Sequence, residues 1–238
     1  MPGYGFYYFW DPTYFLILIG VVLSLAASGY LRSTYGRYGA VKSRSGMTGA
    51  QAAERILRMA GIHDVVIEPV NGNLTDHYDP RKKVLRLSET VYGNTSVAAV
   101  GVAAHECGHA IQHARGYAPL SLRSLLVPVA NIGANLSWPL ILIGVLFGYS
   151  QTLITIGILL FAGVVAFQLI TLPVEFNASS RAAKALEEDG ILSGDEVVHT
   201  KKVLRAAALT YVAAAAGMVL QLLRLILLFG GRGRRDSK

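Results

Sequence analysis

Cysteine is almost missing from this chain. The single one, Cys107, excludes an intramolecular disulfide and any site built on several thiolates. Charge is scarce as well: 16% of residues are charged, against about a quarter in an ordinary soluble domain. The shortage is concentrated. Tyr14–Leu31, Leu125–Phe147 and Thr152–Leu172 contain no Asp, Glu, Lys, Arg or His, and each is long enough to cross a bilayer. A wholly soluble globule is therefore excluded, and a lipid bilayer becomes an expected partner. Residues 1–13 hold neither Lys nor Arg, whereas the start of a cleaved signal peptide is basic. Tyr14–Leu31 is thus expected to be a retained anchor, with the aromatics from Tyr4 to Trp10 forming an interfacial belt before it. The net charge is +7, but the basic residues flank the apolar runs and do not gather in one patch with interleaved aromatics. That distribution argues against nucleic acid as a partner.

Between and after the runs the chain has soluble character. Arg32–Arg44 reads as a basic juxtamembrane linker. Thr48 and Gln51 form a capping box that opens a helix over Thr48–Ala60, and Gly61 closes it. Val65–Glu68 and Lys83–Leu87 read as short strands separated by turn signals. The alternation in Lys83–Leu87 suggests an edge strand able to pair with an extended substrate. Leu125–Phe147 and Thr152–Leu172 are joined by Gly148-Tyr149-Ser150-Gln151, short enough to make an antiparallel helical hairpin. Pro173 is expected to end the second run and Val174–Asp189 to form a new helix. From Gly194 a helical pattern continues to Phe229 without a proline.

What is present in the middle of the chain is His105-Glu106-Cys107-Gly108-His109. Histidines four apart share one helix face, so both imidazoles can reach one ion, while Glu106 leans beside it. That is the geometry of a zinc hydrolase, in which the carboxylate takes a proton from a water the metal activates. The preceding Val97–Ala104 is apolar and alanine-rich, and Gly116 marks a helix stop, so the motif belongs to a mostly buried helix. His, Glu and His buried there without a partner would be costly, and a metal removes that cost. Cys107 is expected to be a small packing residue. His113 continues the spacing, but on a straight helix it stands about 12 Å from His105, too far for the same tetrahedral ion.

Catalytic zinc sites use three protein ligands plus water, so one ligand is missing from the motif. The hairpin supplies a candidate. Two membrane helices that go out and return place Val174 at the membrane face where the zinc helix ended, and Glu175 is the first acidic residue on that return. There it is expected to begin a helix, where the dipole favours its charge. His77, His199 and Tyr211 stay open as donors to the oxyanion of the reaction.

The order of elements, with Leu74–Pro80, Val100–Gln112 and Leu172–Ser179, resembles the neutral zinc metallopeptidase family of small bacterial membrane proteins. That family is related to gluzincins such as the membrane heat-shock and prenyl-protein proteases. In those relatives the segment after the hairpin reads Glu-x-x-Ala-Asp; here Glu175 and Ala178 match, and Ser179 stands where the Asp would be. The resemblance implies a multi-pass protein of the bacterial inner membrane with its active site facing the cytosol.

The expected fold is a mainly α integral membrane protein with about four transmembrane helices and a small α+β zincin-like catalytic domain. Its divisions are an N-terminal anchor (1–31), the first part of the catalytic domain (32–119), the hairpin (120–173), the second catalytic part (174–202), a C-terminal membrane helix (203–229) and a basic tail (230–238). Lys and Arg crowd 32–119 and are missing from 1–13 and from the hairpin loop, which puts 32–119 and 174–202 in the cytosol. The tail is basic too, with Arg232, Arg234, Arg235 and Lys238, so the charge bias opposes a fourth span. The expected function is a zinc-dependent endopeptidase acting on protein or peptide substrates, with Zn²⁺ on His105, His109 and Glu175 and Glu106 as general base. The rival is a catalytically silent zinc-binding scaffold or chaperone-like partner, against which an intact Glu106 speaks. A transporter is disfavoured because the apolar runs Leu125–Phe147 and Thr152–Leu172 of the hairpin carry no charge to line an ion path.

Overall fold

The computed structural model describes residues 11–230. The aromatic belt expected before Asp11 and the basic tail beyond Gly230 lie outside the described residues. The anchor run forms α1 (Tyr14–Gly39), which continues past Leu31 into the stretch expected as a linker. Nothing between Arg32 and Gly39 breaks a helix: there is no proline, and an interior glycine costs only about 1 kcal/mol.

Thr48 caps α2 (Gly49–Met59), and both hydrogen bonds of the capping box with Gln51 are present. Ala52, Ala53, Ile56 and Leu57 bury its apolar face. Three strands follow: β1 (Val66–Val70), β2 (His77–Asp79) and β3 (Val84–Ser88). Their order is β1-β3-β2, with β1 parallel and β2 antiparallel to β3. The expectation of an edge strand at Lys83–Leu87 is therefore wrong. Leu85 and Leu87 are wholly buried, and β3 is paired on both sides, in register Ile67–Leu85 and Tyr78–Leu85. The edges are β1 and β2, and β2, a strand hidden in the sequence among turn residues, is the edge that contacts α4.

A short α3 (Glu89–Tyr92) leads to α4 (Val97–Ala114), whose first turn is capped by the Ser96 side chain accepting from the Ala99 N–H. Then come α5 (Ala118–Leu146), α6 (Gln151–Glu188) and α7 (Asp195–Phe229). Pro173 does not end α6; it lies inside the helix. Proline forfeits one backbone hydrogen bond there, and the helix nevertheless runs on for four more turns. By length and composition α1, α5, α6 and α7 can each cross a bilayer. The chain is a mainly α membrane protein with a small α+β portion.

The backbone divides into two units. One gathers the described parts of Met1–Ala27, Arg123–Ile170 and Tyr211–Lys238. Its helices approach closely at small residues: a Cβ on Gly20 would stand 3.1 Å from Gly217 Cα, and one on Gly133 would stand 2.6 Å from the Leu160 carbonyl oxygen. The Arg224 guanidinium sits 3.7 Å from the Asp11 carboxylate and 4.4 Å above the Tyr14 ring. Gln151 Nε2 donates to the Phe229 carbonyl at 3.3 Å. The start of α1, the α5–α6 loop and the end of α7 thus lie at one end of this unit. The other unit, Ser28–Leu122 with Thr171–Thr210, holds the sheet, α2, α3, α4 and the soluble-type stretches of α6 and α7. Its core joins Ala53, Leu57, Leu85, Val100, Ala104 and Leu186.

Candidate metal centre

His105 and His109 stand one turn apart on α4, their rings 4.8 Å apart and nearly perpendicular. α6 crosses this face and brings Glu175 to both. Its Oε2 lies 3.2 Å from His105 Nε2 and 3.6 Å from His109 Nε2. One ligand atom from each of the three residues lies within 4.8 Å of the others, so the group could hold a metal ion. Glu175 is 3% exposed. It sits in the interior of α6, so the expected help from a helix N-terminus is absent; its charge is met by the two imidazoles.

The middle of the motif makes this approach possible. A Cβ on Gly108 would stand 2.5 Å from the Ala178 carbonyl oxygen, so only glycine lets α6 lie this close. Cys107 faces the other way, wholly buried, with its thiol 3.6 Å from the Ala53 carbonyl. Burial pushes that thiol well above the ordinary range, and the Glu106 charge adds to the shift, as befits an inert packing residue.

The far side of each imidazole is also occupied. Ser179 Oγ lies 3.2 Å from His105 Nδ1. Gln112 Oε1 lies 3.1 Å from His109 Nδ1. Both Nε2 atoms are then turned toward Glu175, the arrangement in which outer partners fix the orientation of ligating histidines. Burial by itself would lower the His109 imidazole, but a hydrogen bond donated to Glu175 and the charges of Glu106 and Glu175 outweigh it and raise it. Two nitrogens on half-buried histidines and one buried carboxylate oxygen, oriented from behind, suit zinc, which in catalytic sites takes three protein ligands plus a water.

Glu106 is 8% exposed and does not join the converging group. His113 is elsewhere, with Nδ1 2.9 Å from the Tyr78 hydroxyl. Of the oxyanion candidates, His77 lies on β2 with Nδ1 2.9 Å from the Thr75 carbonyl. His199 stacks on Tyr38 with ring centroids 4.6 Å apart. Tyr211 falls in the other unit. Sequence reasoning missed Gln112 and Ser179. For Ser179 there was a signal, its place at the end of the Glu-x-x-Ala segment; for Gln112 there was its i, i+3 spacing from His109 on one helix, while its other partners, 62 and 65 residues on, gave none.

Two half-buried histidines and a buried glutamate that could hold a metal ion, in a chain with four helices able to cross a membrane, fit the class of membrane metallopeptidases, and comparison with known proteins gives the family. Residues 13–230 match the family described as "Putative neutral zinc metallopeptidase", and the chain belongs to it. It is similar to the "Putative membrane protease YugP" of Bacillus subtilis (strain 168), with 48% identity over 215 residues, covering 90% of this chain and 95% of that protein. No solved structure matches it.

Proposed function

We propose that the chain is a membrane-embedded zinc endopeptidase that cuts protein or peptide substrates at the cytosolic face of a bacterial inner membrane. The observation that carries this reading is the convergence of His105, His109 and Glu175 beside a glutamate that is left out of the group. When bound, zinc would supply the Lewis acidity that polarises the scissile carbonyl and lowers the pKa of water. Glu106 takes the proton from the attacking water and passes it to the leaving amine. Its low exposure keeps that transfer screened from bulk solvent. Ser179 and Gln112 hold the two imidazoles in place throughout.

β2 is the strand for the substrate in this reading. Among the described residues it is hydrogen-bonded on one side only, and it touches α4. An extended peptide can pair with its free edge through backbone hydrogen bonds, which favours loose side-chain selectivity. The catalytic domain is assigned to 32–119 together with 174–202, interrupted by the hairpin 120–173. Residues 1–31 and 203–229 complete the membrane part, and the crowding of Lys and Arg in 32–119 supports its cytosolic placement.

The test is turnover of casein by the purified protein, wild type against Glu106→Gln. A fall of at least about a hundredfold with zinc retained supports the reading, because a general base is removed and no ligand is lost. Undiminished turnover in that variant contradicts it.

A further inference from the structure

Gln112 is wholly buried, and each of its polar atoms is engaged. Nε2 donates to the Val174 carbonyl at 2.8 Å and to Asn177 Oδ1 at 3.0 Å. Asn177 Oδ1 also accepts from Arg181 Nε at 2.7 Å. The Arg181 guanidinium rests over the Tyr117 ring, 5.8 Å from its centroid. The polarity of this chain is forced from both ends. A backbone carbonyl can only accept, and an arginine can only donate. The Asn177 atom between Arg181 and Gln112 must therefore be its oxygen, and the Gln112 atom facing Val174 and Asn177 must be its nitrogen. That leaves Gln112 Oε1, an acceptor, 3.1 Å from His109 Nδ1. His109 Nδ1 therefore has to carry a proton, which leaves Nε2, the nitrogen that faces Glu175, as the one whose lone pair a metal can take.

We propose that Gln112, locked by Val174 and by the Asn177–Arg181 pair, is a positioning residue that selects the metal-binding tautomer of His109. This rests on the reading of His105, His109 and Glu175 as a metal site. The same amide ties α4 to the residue just before Glu175, so one side chain orients a ligand on one helix and registers a ligand on the other. Ser179 offers His105 no such selection, since a hydroxyl can donate or accept and rotates to suit either tautomer.

The experiment uses the full-length protein in detergent, loaded with zinc. Competition with a chromogenic chelator reads affinity, and ¹⁵N-histidine NMR reads which ring nitrogen holds the proton. Gln112→Leu is expected to weaken zinc binding by about 10–100-fold. Asn177→Asp keeps an oxygen that accepts from both Gln112 and Arg181, and is expected to stay within about threefold of wild type. Asn177→Leu, at a half-buried position, removes the second lock and is expected to bind zinc more weakly than Asn177→Asp. This pair of variants carries the test if Gln112→Leu does not fold. In the wild type the His109 ring proton is expected on Nδ1. A ring proton on Nε2, or unchanged zinc affinity in folded Gln112→Leu, overturns the proposal. A wild-type protein that takes up no zinc overturns the metal reading beneath it instead.

Discussion

Gly108 shows how much one residue can decide. A methyl group there would press on the Ala178 backbone at 2.5 Å, and a backbone atom of a packed helix cannot swing aside. Gly108→Ala is expected to destabilise the fold by about 1–3 kcal/mol through overpacking and to lower zinc affinity by moving Glu175 off the histidines. A urea titration and a zinc-competition assay on the variant check both parts. Cys107 presents the opposite case, a residue inside the motif with no part in its chemistry. Buried against Ala53 with its thiol pushed well up, it should resist alkylation by iodoacetamide in the native protein and react only on unfolding. Rapid modification of the native protein would contradict that placement.

At the scale of elements, α2 illustrates a local signal that holds. The Thr48–Gln51 capping box is present as the sequence pattern predicts. Thr48→Ala is expected to cost about 1 kcal/mol, seen as a lower thermal midpoint without loss of zinc. The i, i+4 histidines were legible for the same reason: helix geometry is local. Other elements were not legible, because tertiary partners decide them. β2 is three residues, His77-Tyr78-Asp79, set among turn formers, and exists because β3 offers it an edge. β3 alternates like an edge strand, yet Val84, Leu85 and Leu87 are all buried and it sits in the centre. Pro173 looks like a helix end, but α6 carries through it because the stretch beyond packs Val174, Ala178, Ala182 and Leu186 into buried positions. The return of the hairpin singles out Glu175, which does lie beside both histidines; its position mid-helix is not legible, since that depends on Pro173.

At the scale of the whole molecule, the fourth span is favoured by the ends that meet. Arg224 with Asp11 and Tyr14, and Gln151 with Phe229, bring the start of α1, the α5–α6 loop and the end of α7 to one end of their unit. With four spans and a cytosolic active site, a tag after Lys238 should resist protease in inside-out vesicles although the tail is basic; digestion there would contradict four spans. In the proposed zinc site two stretches of chain, separated by a membrane hairpin, meet, and Glu175 is the ligand that the hairpin returns. The most direct measurement is zinc content per chain in purified Glu175→Ala beside Glu106→Gln and wild type. We expect about one zinc in the wild type and in Glu106→Gln, and a protein that still inserts but holds almost none in Glu175→Ala. Full zinc occupancy in Glu175→Ala would contradict the account.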